Sequence, residues 1–144
     1  MKKPILKFLL LNKSAILPQY AHDDDAGFDL FTTEKVILKP REFKLIPLGI
    51  AAEIPVGYFI SLRDKSGLAA KYGLHVLGGV IDSGYRGEWL TNIINLGKAN
   101  YTFQKGEKIV QGVLQPAPQA KITLAKKLSK TARGKGGYGS TGKT

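Results

Sequence analysis

Apolar positions along the chain come in short runs, and several runs alternate with polar residues. Lys121-Ile122-Thr123-Leu124 and Thr91-Asn92-Ile93-Ile94-Asn95 show the period of two that half-buried strands require. Runs of this kind predict strands at Ile5–Leu11, Val36–Leu38, Lys44–Ile50, Tyr58–Leu62, Leu90–Asn95, Ile109–Leu114 and Ala120–Leu124. Turn-forming pairs such as Lys39-Pro40, Ser83-Gly84, Leu96-Gly97 and Lys105-Gly106 lie between them. Helical periodicity is confined to SGLAAKYG, residues 66–73, where Ser66 is read as a cap and Gly73 as the stop. Many short strands between regular turns predict an all-β sandwich or barrel.

Composition narrows this. The 144 residues fit one domain, and 43% apolar residues suffice for a core. The absence of cysteine excludes a disulfide framework, a Cys-ligated zinc and a thiol nucleophile. No apolar run approaches the roughly 18 residues of a membrane helix. The N-terminal MKKPILKFLLLNK weakly mimics a signal peptide, but Lys7 interrupts it, and it is read as a first strand. Twenty-two basic against eleven acidic residues give +11, an excess that attracts polyanions without saying which. Much of it sits in residues 121–144, which contain no acid. Residues 133–142, RGKGGYGSTG, cannot bury enough surface to fold alone. They read as a mobile arm, so the expected division is a β domain at 1–130 and an arm at 131–144.

Four segments carry candidate chemistry. Asp23-Asp24-Asp25 beside His22 suggests a metal site, although a solvated turn explains it better, since adjacent residues rarely converge on one ion. Asp29, between Phe28 and Leu30, sits in an apolar setting and its charge needs a partner. Ser66 and Gly67, at a strand-to-helix turn, offer an anion a hydroxyl and a backbone donor, or else only a cap. Residues 78–89 read as a hairpin, with Val80-Ile81 as one strand, Ser83-Gly84 as turn and Leu90 onward as the return. Asp82 stands at its rim as a candidate general base, and Tyr85 follows as a ring platform. Gly78 and Gly79 would let a ligand approach the backbone. Gln111, among apolar neighbours, would be partly buried and need hydrogen-bond partners.

AGFDL at 26–30, KSGLA at 65–69, GVIDSGYRGE at 79–88, GEKIVQ at 106–111 and RGKGGYGSTG at 133–142 together resemble the five motifs of the trimeric dUTP diphosphatase (dUTPase) family, in order. The resemblance implies a jelly-roll-like β-barrel and a homotrimer with active sites at subunit interfaces. It implies hydrolysis of dUTP to dUMP and diphosphate, which limits uracil incorporation into DNA and supplies dUMP for thymidylate synthesis. It further implies Mg2+ on the triphosphate, a cytoplasmic location (nuclear or host-cell interior for a eukaryotic or viral chain), no secretion, no membrane and no specific nucleic acid.

Residue by residue, the resemblance makes Asp82 the carboxylate that deprotonates the attacking water. Gly78, Gly79, Val80 and Ile81 become the uracil-reading ribbon, and Tyr85 the ring beneath the deoxyribose. Lys65, Ser66, Gly67 and Gln111 fall on the phosphates, and Asp29 on the metal through water. In the arm, Arg133, Ser140 and Thr141 meet phosphates, while Tyr138 and Gly139 cover uracil. Lys65 and Lys108 stand where the family has Arg, which keeps charge but loses the bidentate fork. Gly84 replaces an acid, and Tyr138 a Phe. A dCTP deaminase-like enzyme and a basic regulatory or nucleic-acid-binding β-barrel are the rival readings.

Overall fold

Strand Leu90–Asn95 follows the pleat strictly, with Thr91, Ile93 and Asn95 pointing into the core and Leu90, Asn92 and Ile94 pointing away from it. The same logic builds eleven strands and one short helix among residues 3–137, which this computed structural model describes. In chain order they are β1 (Lys7–Leu10), β2 (Gly27–Phe31), β3 (Val36–Leu38), β4 (Phe43–Pro47), β5 (Ile50–Glu53), β6 (Tyr58–Arg63), α1 (Ser66–Tyr72), β7 (Leu74–Leu77), β8 (Val80–Asp82), β9 (Leu90–Asn95), β10 (Tyr101–Phe103) and β11 (Lys108–Pro116). All pairings are antiparallel: β2-β11-β6-β8, β4-β9-β7, β1-β5 and β3-β10. The sheets enclose one core, in which Trp89, Phe103, Leu30, Leu38 and Ile60 are wholly buried. The fold is thus mostly β with little helix, and the described pairings do not close into a single barrel.

Four expectations are corrected. Lys44–Ile50 is not one strand. The chain turns at Gly49, whose φ of 67° suits glycine, and passes from β4 to β5. Val80–Asp82 and Leu90–Asn95 form no hairpin, because β8 pairs with β6 while β9 pairs with β4 and β7. Gly78 and Gly79, at φ 75° and 100°, swing the chain between sheets, and Trp89 anchors the return by donating its N–H to Ile50 O (2.7 Å). Ala120–Leu124 is not a strand: the segment follows Pro116 and Pro118 and pairs with nothing among the described residues, leaving Ile122 and Leu124 fully exposed. Ser66 does not cap α1; Lys65 holds the N-cap position, and Ser66 is the first helical residue. Gly73 ends the helix in the left-handed region as expected (φ 70°).

Candidate active site

Strand β11 is the axis of the first half of the site. Its register sets Gln111 beside Asp29 of β2 on one side and Arg63 of β6 on the other. Gln111 is half-buried and donates its side-chain amide to Asp64 O (2.8 Å). Gly27 makes room for it, since a Cβ there would stand 2.5 Å from Gln111 Oε1. Asp64 ties down the turn into α1: one carboxylate oxygen accepts the Val76 N–H (2.7 Å) and the other lies 2.9 Å from His75 Nδ1. Ser66 and Gly67 follow, both exposed at the start of the helix, with open space around Gly67.

Asp29 is buried and takes an ammonium on each oxygen. Lys65 bonds Oδ1, and Lys108 reaches Oδ2 at 2.6 Å. Burial by itself would raise the Asp29 pKa; hydrogen bonds and charge from Lys108 and Lys65 outweigh it and hold the carboxyl below its ordinary value. A bulge in β11 between Lys108 and Val110 accompanies the delivery of Lys108 to this spot. Two cations share one anion, so the cluster retains a net positive charge beside the exposed turn at Ser66-Gly67. The sequence signalled that Asp29 needed a partner; that Lys108 would be one of two was missed.

The second half lies along the sheet. Asp82 closes β8, opposite Phe59, whereas Gln111 stands opposite Arg63 on the same β6. Four residues of β6 separate those positions, about 13 Å of strand. One chain therefore does not bring Asp82 and the Asp29–Lys65–Gln111 cluster together. Val80, Ile81, Asp82, Tyr85, Glu88, Trp89 and Leu90 line a separate cleft of about 220 Å3. Strand β8 is the last in its sheet, so its outer edge presents backbone donors and acceptors without a strand partner among the described residues. Gly79 O accepts Leu62 N–H (2.7 Å) and fixes the entry to that edge.

The loop after β8 holds itself rigid. Tyr85 N–H donates to Asp82 O (3.1 Å), and Tyr85 Oη donates to Glu88 O (3.0 Å). Arg86 donates to Ser83 O (2.6 Å) and Tyr85 O (3.0 Å). Gly87 lets the Tyr85 ring fold down, since a Cβ there would meet Tyr85 Oη at 2.5 Å. Asp82 and one face of Tyr85 stay open to solvent, an acceptor and a platform on a fixed frame.

Of the tail, Arg133 is described: its Nε donates to Gly136 O (2.9 Å), a local contact, and no hydrogen bond joins it to either half-site among the described residues. Tyr138, Gly139, Ser140 and Thr141 lie outside the described residues. His22 and Asp25 form a local turn, with Asp25 Oδ2 accepting the His22 N–H (2.9 Å), which accords with the solvated-turn reading. Among the described residues no three His, Asp or Glu side chains converge on a metal position. Both Asp29 oxygens are instead taken by the ammonium groups of Lys65 and Lys108.

A rigid β scaffold, a base-sized cleft with a carboxylate at its rim and a cationic cluster beside an exposed turn are the parts of a protein that handles phosphorylated nucleosides. The chain belongs to the dUTPase family, whose model matches residues 13–142. It is 50% identical over 140 residues to the deoxyuridine 5'-triphosphate nucleotidohydrolase of Clostridium tetani, covering 96% of this chain and 97% of that one. It is 48% identical to the enzyme of the same name from Nautilia profundicola, covering 96% and 99%. Among solved structures it resembles the Staphylococcus bacteriophage 80alpha dUTPase with dUPNHPP, at TM-score 0.91 and 31% identity over 96% of this chain and 98% of that one. It also resembles the D95N dUTPase of phage phi11, described with a structural Mg(II) ion, at TM-score 0.81 and 28% identity over 85% and 97%.

Proposed function

We propose that this chain hydrolyses dUTP to dUMP and diphosphate, limiting uracil incorporation into DNA and supplying dUMP for thymidylate synthesis. The observation that carries the reading is the rim carboxylate Asp82 on an edge strand, next to a Tyr85 ring locked by its own loop. The unpaired edge at Gly78–Ile81 matches donors and acceptors on uracil, and its closeness leaves no space for the 5-methyl of thymine. Tyr85 lies under the deoxyribose and fills the space of a 2′-hydroxyl. Asp82 accepts a proton from water; the water oxygen bonds the innermost phosphorus, and the bond from that phosphorus to the diphosphate oxygen breaks.

Lys65, Ser66, Gly67 and Gln111 hold the phosphates, with Lys65 leaving Asp29 to Lys108 as it does so. Arg133, Ser140 and Thr141 add phosphate contacts from the arm at 131–144, while Tyr138 and Gly139 close over the base. Mg2+ enters as part of the substrate, on the triphosphate, as the family resemblance implies. Asp29 then faces the ion only across water.

The distance of about 13 Å along β6 between the two half-sites supports a homotrimer in which each site takes one half from each of two subunits. Exposed apolar residues support the same assembly: Ile122, Leu124 and Leu128 carry apolar surface with no cover among the described residues. Four small sheets around one core suit a jelly-roll-like barrel. The reaction places the chain in the cytoplasm or the interior of a host cell.

The test is diphosphate release from dUTP, dTTP, dCTP and UTP with Mg2+ in parallel. Turnover confined to dUTP is expected. Equal cleavage of dTTP and UTP, or no cleavage of any, overturns the reading.

A further inference from the structure

At the far end of α1 from Ser66 lies a cleft of about 420 Å3, within the range of roughly 300–1,000 Å3 typical of small-ligand sites. Its walls are built from groups that the proposed hydrolysis does not use. Leu96 N–H donates to Gly73 O (2.9 Å), which ties the loop after β9 to the end of the helix. Asn95 is fully buried and holds that loop from beneath. Its Oδ1 accepts the Gly97 N–H, and its Nδ2 donates to Leu38 O and Ala99 O, all at 2.9 Å. The backbones meet so closely that a Cβ on Gly97 would stand 2.3 Å from Tyr72 O. Three hydrogen bonds from one buried amide make the cleft a fixed shape rather than a loose loop.

Its floor is aromatic. Phe103 is in the core, Tyr101 packs on it at 4.8 Å between ring centroids, and Tyr72 packs on Tyr101 at 4.7 Å. This run of edge-on and tilted rings therefore begins buried and surfaces at Tyr72, which is 48% exposed. Burial, with Glu107 and Tyr72 adding to it, raises the Tyr101 pKa, so its hydroxyl stays a neutral donor. Lys71 and Lys98 flank the rings, both exposed and neither in an ion pair among the described residues. The carboxylate of Glu107, the acid that acts on Tyr101, already accepts the Gln104 N–H (2.9 Å). An open ring between two free ammonium groups, on a chain of net charge +11, is complementary to a base and its flanking phosphates.

We propose that this cleft binds one nucleotide of a single-stranded nucleic acid, its base stacked on Tyr72 and its flanking phosphates on Lys71 and Lys98. A base inside a duplex has no free face to offer, so the strand must be single. Stacking on a ring face serves every base alike, so binding is largely indifferent to sequence. The fold supplies the interleaving of aromatic and basic residues that the linear sequence lacks, because Tyr72 and Tyr101 are distant along the chain and adjacent in space.

The test is fluorescence anisotropy of a labelled oligo(dT) of about 12 nucleotides, within the site sizes known for such surfaces, over a salt series. Tyr72→Ala should weaken binding roughly 5- to 100-fold, the worth of one stacked base, and Tyr72→Phe should restore it. Lys71→Glu with Lys98→Glu should lower the slope of log K against log salt by about 1.4, two single-strand phosphates. Lys126→Glu with Lys127→Glu, in the exposed tail, serves as the charge control, and unchanged circular-dichroism melting certifies folding of each variant. Absence of binding at low salt overturns the proposal. So does an equal loss in the tail control with none in Tyr72→Ala, which would mean unspecific polyanion attraction. Displacement of the oligonucleotide by a non-hydrolysable dUTP analogue with Mg2+ would assign the binding to the nucleotide site, and equal competition by poly-glutamate would assign it to any acidic polymer; either result also overturns it.

Discussion

Replacing Asp29 by Asn should destabilise the protein by an amount the ion cluster sets. The side chain of Asp29 is 6% exposed, while Lys65 and Lys108 keep 28% and 44% of theirs. Removing one partner of a buried ion pair costs about 3–5 kcal/mol. Both lysines here retain water, so the cost is discounted to about 2–3 kcal/mol. At about 3 °C per kcal/mol for a chain of this size, Tm should fall by about 6–9 °C at pH 7. Asn keeps the volume of Asp, so no cavity contributes. The assay is thermal melting followed by circular dichroism at fixed protein concentration. The sign of the pH dependence is a second check. The folded-state pKa of Asp29 lies below the ordinary value of 3.8, so its contribution is complete above that value and is lost as pH falls through the folded pKa. The gap between wild type and Asp29→Asn should therefore narrow under acid conditions. Adding Lys108→Met to Asp29→Asn removes a cation left without its anion and should recover about 1 kcal/mol. A Tm within 2 °C of wild type at pH 7, or a gap that does not change with pH, refutes the reasoning.

Asp82→Asn should bind a non-hydrolysable dUTP analogue but lose roughly 100- to 10,000-fold in turnover, as stopped-assay diphosphate release would report; near-normal turnover removes Asp82 from the role of base. Gly87→Ala sets a methyl within 2.5 Å of Tyr85 Oη, so the ring must lift away from Glu88. The expected outcome is about a 10-fold fall in the ratio of kcat/KM for dUTP over UTP, with little loss on dUTP alone. Truncation after Thr131 should abolish most turnover yet leave the melting temperature of the β core unchanged, because the Arg133 hydrogen bond recorded in the fold is local, to Gly136. A normal rate in the truncated protein would make the arm dispensable.

Strands were legible where alternation or β-branched residues ran on, as at Tyr58–Arg63, Leu90–Asn95 and Lys108–Pro116, and even over the three residues of Val36–Leu38. Those the pattern missed have physical causes. IAAE of β5 carries two alanines with weak strand preference. Strand β10, Tyr-Thr-Phe, has no β-branched apolar run like that of β3, and β7 sits between a helix end and two glycines. Ala120–Leu124 alternates like a strand but has no partner within the described chain, because alternation reports a half-buried surface and not which molecule buries it. Polarity also misleads inside β9. Its inward positions include Thr91 and Asn95, and Asn95 is accommodated because three backbone groups meet its amide, Gly97 and Ala99 close by in sequence and Leu38 from across the fold. The Leu38 bond is a property of the folded chain that no local pattern encodes.

The site was legible as motifs, and its geometry was not. AGFDL, KSGLA and GEKIVQ converge because β11 pairs with both β2 and β6, a topology that the order of segments does not specify. GVIDSGYRGE goes elsewhere, since Gly78 and Gly79 carry it onto the edge of the sheet rather than into a hairpin. That division has a mechanical consequence. In the proposed reaction the Asp82 carboxylate and the Asp29–Lys65–Gln111 cluster must meet at one phosphate chain, yet they sit about 13 Å apart along a stiff strand that does not bend to join them. In the proposed homotrimer a second copy supplies the missing half. Subunit dissociation should then abolish turnover while leaving the internal hydrogen bonds of each half intact, and activity should follow the fraction of assembled protein as concentration is lowered. Retention of full activity by a dissociated single chain would show instead that one chain bends enough to join its own halves.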